Sequence, residues 1–227
     1  MRPIIVLLIM ILSIANASAA DFGKGRNAWL AGDYATALKE FQPLAEQRYV
    51  PAQNNLGVMY SQGQGVPQDY VLAEKLFRLA AEQRYAPAQN NLGIMYRDGE
   101  GVPQDYVQAV KLFRLAADQG NADAQYNLGV MYYKGRGVPQ DYVQVVKWYR
   151  MAAEQRYVPA QNNLGVMYYF GNGVPQDYVQ AHMWFNLAAA QGDKDAAENR
   201  DIVAGRMTPA QIAEAQRLAA VWAAKMR

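Results

Sequence analysis

A chain of 227 residues is long enough for one sizeable folded unit, and 22 Lys and Arg against 20 Asp and Glu leave a formal charge of +2. That balance gives no clustered cations of the kind nucleic-acid binding rests on, so no nucleic acid is expected as a partner. The absence of cysteine excludes disulfides, thiolate metal sites and a cysteine nucleophile together.

Residues 1–20 read as a secretory leader. Arg2 supplies the positive end, Ile4 to Leu12 the apolar run, and Ala17-Ser18-Ala19-Ala20 a small-x-small junction. The apolar run is about half the ~20 residues a membrane-spanning helix needs. Cleavage is therefore expected near Ala19 or Ala20. The mature chain would carry no transmembrane span and reside in the periplasm or be secreted.

Residues 21–50 follow, with Trp29, Tyr34, Ala37, Phe41 and Ala45 spaced as the apolar stripe of a helical pair. From Pro51 the chain repeats itself. GVPQDY occurs at 65–70, 101–106, 137–142 and 173–178, always 36 residues apart, and PAQNNLGVMY at 51–60 returns in close variants at 87, 123 and 159. Four units result, at 51–86, 87–122, 123–158 and 159–194. A period of this length marks a solenoid whose units bury their apolar faces only against one another. Ala52, Leu56, Met59 and Tyr60 give the stripe of a first helix, and Tyr70, Ala73, Phe77, Ala80 and Ala81 that of a second. No segment alternates with period two, so the expected class is all-α, without a β-sheet.

GVPQDY reads as the turn between the two helices. Gly63 suits the left-handed position after the first helix, and Gly65 relieves the backbone again. Val66 before Pro67 is driven into an extended form, and Pro67 stiffens the loop. Asp69, Asp105, Asp141 and Asp177 fit as N-caps of the second helices; the competing use, an ion site, fails because each unit offers a single Asp. Gly57, Gly93, Gly129 and Gly165 fall mid-helix, where Gly costs ~1 kcal/mol against Ala. Close approach of two helices, with Phe77, Phe113, Tyr149 and Phe185 nearby, is the expected reason. Residues 195–227 read as a cap. Arg200 replaces the Leu that the 36-residue ruler calls for, and Thr208-Pro209-Ala210-Gln211 forms a capping box ahead of a last helix bearing Ile212, Ala215, Leu218, Ala219 and Trp222.

These residues resemble the Sel1-like repeats, relatives of the tetratricopeptide repeat. Ala52, Leu56, Gly57, Tyr60, Gly63, Gly65, Val66, Asp69, Ala73, Phe77, Ala80 and Ala81 carry the likeness, and it recurs on the ruler through Ala189. Residues 22–46 resemble a tetratricopeptide-type pair. The resemblance implies a right-handed superhelical solenoid of antiparallel helix pairs, about a dozen helices in all, with a concave groove lined by the first helix of each pair. It further implies a non-catalytic scaffold or adaptor that binds a protein or peptide on the concave face.

Chemistry is poorly supplied. Beyond the leader there is one Ser (Ser61), two Thr (Thr36, Thr208) and one His (His182). Ser61 and His182 fall in different units, far outside the ~3 Å a nucleophile and its base require. One His without Cys builds no ordinary zinc site. His182 stands where other units carry Glu74, Val110 and Val146, which reads as a helix flank. No cofactor or metal is expected. Some cysteine-rich Sel1-like proteins have been described as penicillin-binding or β-lactamase-like. Their cysteines are missing here, which removes that support; a cell-wall-directed enzyme or β-lactam-binding protein is kept as the alternative function.

Two sets of binding residues are candidates. The first is the ladder Asn55, Asn91, Asn127 and Asn163, which either pairs with an extended peptide or ties neighbouring helices together. The second comes from positions that vary between units. The ends of the first helices carry Ser61, Arg97, Tyr133 and Tyr169, followed by Gln62, Asp98, Lys134 and Phe170, while Tyr126 replaces an Asn found at 54, 90 and 162. Arg97, Tyr126, Tyr133, Tyr169 and Phe170 are therefore candidate partner contacts, unless the aromatics pack on their own neighbours.

Overall fold

The computed structural model describes residues 20–225; the leader expected over 1–20 falls, but for Ala20, outside them. Among the described residues there are twelve α-helices and no strand. The chain divides after Asp105 into two compact units.

The first unit holds α1 (Phe22–Leu30), α2 (Tyr34–Glu46), α3 (Val50–Gln62), α4 (Tyr70–Glu82) and α5 (Ala86–Asp98). Each helix packs on the next in the chain. Ala37, Phe41, Ala45, Ala52, Leu56, Met59 and Leu76 form its core, with Trp29 and Tyr34 partly buried against them, so the stripe expected over residues 29–45 is the one that is buried.

The second unit holds α6 (Tyr106–Ala117), α7 (Ala122–Lys134), α8 (Tyr142–Glu154), α9 (Val158–Phe170), α10 (Tyr178–Ala189), α11 (Lys194–Ala204) and α12 (Pro209–Lys225). Neighbours pack in sequence as far as α11, and α12 lies against α10 instead. Trp222 meets Trp184 edge-on at 5.8 Å between centroids. The capping box at the start of α12 forms: Thr208 N–H donates to Gln211 Oε1 at 2.8 Å, and Gln211 N–H to Thr208 Oγ1 at 3.3 Å.

The turn hexapeptide behaves as its residues require. Gly63 has φ +66 and closes α3 in the left-handed region. The Asp69 carboxylate accepts from Leu72 N–H, that of Asp141 from Val143 and Gln144 N–H, and that of Asp177 from Gln180 N–H. The glutamine of the hexapeptide has its own task. Gln68, Gln104, Gln140 and Gln176 each donate Nε2–H to a carbonyl in the last turn of the preceding helix, at 2.7–2.9 Å, satisfying acceptors that a helix end leaves open.

The mid-helix glycines are explained by rings rather than by backbones. A Cβ on Gly57 would sit 2.8 Å from the Phe77 ring, and one on Gly129 2.6 Å from Tyr149. The aromatic side chain of the second helix lies flush on the first, which only hydrogen at Cα permits.

A buried glutamine line runs through each unit and was not anticipated from the sequence. Gln53 donates to Ala45 O, Gln125 to Ala117 O and Gln161 to Ala153 O, all 3.1–3.3 Å. Their own carbonyls accept from Gln83, Gln155 and Gln191, thirty residues on. Each buried amide is thereby paired, as burial demands. The recurrence of Gln at 53, 89, 125 and 161 was the available signal.

One expectation fails. His182 is no helix flank: it is 3 % exposed, and its Nδ1 has no hydrogen-bond partner. Burial lowers its pKa, and Arg200 adds to the effect while Asp201 opposes it. The same position is interior in the preceding repeats, where Val110 and Val146 are each 5 % exposed.

Candidate functional site

The first helix of each pair carries residues at i, i+4, i+7 and i+8 on one face. On α3 these are Asn54, Val58, Ser61 and Gln62; on α7, Tyr126, Val130, Tyr133 and Lys134; on α9, Asn162, Val166, Tyr169 and Phe170. Within each unit this face is recessed between successive first helices, with the aromatic ring of the intervening helix as floor.

In the second unit the α7/α9 recess is a cleft of about 270 Å³ walled by Tyr126, Val130, Tyr133, Val166 and Met167, floored by Tyr149 and rimmed by Lys134 and Asn163. Tyr126 stacks on Tyr149 at 5.5 Å and meets Tyr157 at 5.3 Å. Burial pushes the Tyr149 hydroxyl well above its ordinary pKa, so it stays protonated. Tyr157 is pushed up to about 12, by burial first and by the Asp123 carboxylate second. Tyr133 is 43 % exposed at the mouth. Lys134 is exposed and makes no ion pair among the described residues. Arg136 lies 5.3 Å over the Tyr106 ring.

A second recess of about 200 Å³ lies between α9 and α11, formed by Val166, Tyr169, Phe170, Phe185, Asn199 and Ile202. Phe170 is 62 % exposed there. It meets Tyr169 edge-on at 4.8 Å, and Arg206 covers Tyr169 at 5.1 Å. In the first unit the matching α3/α5 recess is wider, about 500 Å³, and polar at its mouth: Ser61, Gln62, Gln68, Tyr70 and Glu100 join Val58, Phe77, Asn91, Ile94 and Met95.

The structure thus gathers Tyr126, Tyr133 and Asn163 in one cleft and Tyr169 and Phe170 in the next. Asn91 lines the first unit's recess. Asn55, Asn127 and Arg97 line none of the three. Arg97 is held side-on by Asp98, Nε to Oδ1 at 2.8 Å and Nη2 to Oδ2 at 2.7 Å. The asparagines bridge neighbouring first helices: Asn91 Nδ2–H donates to Asn54 Oδ1 at 3.0 Å, Asn163 to the Tyr126 hydroxyl at 3.3 Å, and Asn199 to Asn162 Oδ1 at 3.0 Å. Asn55 lies beside Asn54 and accepts from it. Tyr126 is half-buried by its ring contacts rather than freely exposed. The sequence reading overlooked Val130, Val166 and Tyr149, although Val58, Val130 and Val166 recur one turn before the variable positions.

Ser61 Oγ–H donates to Val58 O within its own helix, which leaves the hydroxyl in a structural bond. Among the described residues no three His, Cys, Asp or Glu side chains come together as a metal site would need. No described helix is long and apolar enough to cross a membrane.

The Sel1 repeat family model matches residues 50–85, 86–121, 122–157 and 158–193. A Sel1 repeat protein from Oxalobacter formigenes is similar in structure at TM-score 0.69 and 34% identity, over 78% of this chain and 72% of that one. A protective antigen of uropathogenic Escherichia coli strains displaying an SLR fold is 32% identical at TM-score 0.58; 92% of this chain is covered, but it spans only 55% of the antigen. A putative Sel1 repeat protein from Klebsiella pneumoniae, 23% identical at TM-score 0.58, shares the fold over 83% of this chain and 95% of its own. No curated protein matches. Four contiguous family repeats, and the helical pairs they fold into, make this chain a member of the Sel1 repeat family.

Proposed function

We propose that the protein is a non-catalytic scaffold, exported to the cell envelope, that holds a protein or peptide on the face carried by its first helices. Sel1 repeats usually mediate protein binding. The observation that carries the reading here is the α7/α9 cleft. At about 270 Å³ it lies below the ~300–1,000 Å³ of small-molecule pockets and matches a single inserted side chain. Its walls are aromatic and aliphatic, the composition of an interface hot spot. The unpaired Lys134 at the rim supplies a cation for an acidic group on the partner, which serves orientation and encounter more than affinity.

Crosslinking in the envelope of the source cell, then titration with the purified partner, tests this. Tyr133→Ala and Phe170→Ala are expected to weaken binding about 30-fold each, the ~2 kcal/mol of a truncated hot-spot aromatic, while stability falls only by the ~0.5–1.5 kcal/mol of the lost ring contacts with Tyr142 and Tyr169. Wild-type affinity in both variants would remove the aromatic face as the site. Turnover or covalent labelling with a labelled penicillin or peptidoglycan fragments would replace the scaffold by an enzyme.

A further inference from the structure

The first helical pair carries a charge where the repeats carry none. On the 36-residue ruler Glu40 aligns with Leu76, Leu112, Trp148 and Trp184, an apolar position in every unit. Glu40 is 5 % exposed. A buried carboxylate is costly unless paired on both oxygens. One oxygen accepts from Lys24 Nζ at 2.6 Å, on a lysine side chain that is itself 60 % exposed. The other accepts from the main-chain nitrogen of Asp21 at 2.9 Å. These two donors, in that order, hold the Glu40 carboxyl below the usual carboxylate range. Asp21 also caps α1 by accepting from Lys24 N–H, and Phe22 beside it packs on Phe41 and Tyr49 at 5.5 and 5.2 Å. The nitrogen of Asp21 is therefore fixed in place by the helix it opens.

That nitrogen stands one bond past the small-residue junction of the leader. Cleavage after Ala19 would leave it an amide. Hydrolysis of the Ala20–Asp21 bond adds water across it: the leader departs with a carboxylate on Ala20, and Asp21 keeps the nitrogen as an ammonium. We infer that the processing site is the Ala20–Asp21 bond, and that Glu40 is a preformed receptor for the new α-ammonium. The hydrogen bond to Glu40, until then charged only on the acceptor side, becomes an ion pair as well. Removal of the leader thus strengthens a contact between α1 and α2 that is already formed. The inference rests on the export reading and sharpens it from two candidate junctions to one.

Two measurements test it. Intact mass and N-terminal sequencing of the protein recovered from an exporting cell are expected to give Asp21 as the first residue. A first residue at Ala20 or elsewhere past the leader would overturn the junction while leaving export standing; a chain that retains Met1 would overturn both. Separately, protein beginning at Asp21 is compared with the same protein acetylated at its α-amino group, as wild type and as Glu40→Gln. Acetylation is expected to raise the unfolding equilibrium constant of the wild type roughly five- to tenfold and to change Glu40→Gln little. Equal stability of free and acetylated wild type would overturn the receptor role, and that comparison requires no variant to fold.

Discussion

The α3/α5 recess of the first unit and the α7/α9 cleft of the second are built on the same frame and do different things with it. Both have a glycine under an aromatic floor, Gly57 beneath Phe77 and Gly129 beneath Tyr149. Both are bridged by an Asn, Asn91 to Asn54 in one and Asn163 to Tyr126 in the other. They diverge at the variable positions. Ser61, Gln62 and Glu100 leave about 500 Å³ of open, polar recess, where the Tyr70 hydroxyl donates to Glu100 at 3.3 Å. Tyr126, Tyr133 and Lys134 narrow the counterpart to about 270 Å³ and make its mouth cationic. The frame is thus held by residues fixed by packing, and the two recesses differ at three or four positions around their mouths.

The largest effect is expected where the frame itself is struck. Gly129→Leu drives a side chain into the Tyr149 ring and should cost about 2–3 kcal/mol by overpacking, more than the ~1 kcal/mol regained by removing a helical Gly. Gly57→Leu should cost a similar amount against Phe77. Chemical denaturation of both variants checks the shared frame; a loss in one unit alone would break the comparison.

A smaller change turns one recess into the other. Tyr126→Asn restores the residue of the first unit, keeps a partner for Asn163, and forfeits the ring contacts with Tyr149 and Tyr157. Aromatic pairs contribute ~0.5–1.5 kcal/mol each, so a loss of about 1–3 kcal/mol is expected. An unchanged denaturation midpoint would mean that the rings lie together without stabilising one another.

A one-proton effect distinguishes the second unit further. The folded pKa of His182 is lowered by burial and by Arg200, so the folded state favours the neutral ring and the unfolded state binds more protons. Stability contributed by neutral His182 is complete above the unfolded value of ~6.5 and is lost as pH falls through it toward the folded value. His182→Val, the residue found at 110 and 146, should flatten that slope and remove the unpaired Nδ1. Melting the two proteins in parallel between pH 8 and pH 5 measures it; parallel curves would reject a buried neutral imidazole.

The smallest effect lies in the turns after the second helices. Arg84 and Arg156 adopt φ +61 and +66, where the second repeat has Gly120 at φ +87. The left-handed region costs a side chain ~1–2 kcal/mol, partly offset by the unfolded-state entropy of Gly. Arg84→Gly and Arg156→Gly should each gain about 0.5 kcal/mol, equally in both units, by calorimetry.

Much of this was legible in the residues because it is local. The 36-residue period announced the repeats. Gly63 and Asp69 marked where one helix stops and the next starts, and Thr208 with Gln211 announced the capping box, since each rests on bonds between residues a few positions apart. Periodicity also placed Tyr133 and Phe170 at helix ends. What stayed hidden depends on atoms brought together from far along the chain. His182 looked like a flank because Glu74, Val110 and Val146 stand at its position, yet Val110 and Val146 are themselves 5 % exposed, so packing makes the position interior in the repeats generally. Gln53 carried no message until Ala45 O on one side and Gln83 on the other turned it into a buried, fully paired amide. Tyr126 stands out in sequence as a candidate partner contact, but Tyr149 and Tyr157 close on it. The sequence by itself determined the helices and their turns, because backbone dihedrals, caps and apolar spacing act over a few residues. Tertiary structure alone decided which polar groups are paired in the interior and which recesses remain open, because desolvation and packing depend on neighbours that local sequence does not name.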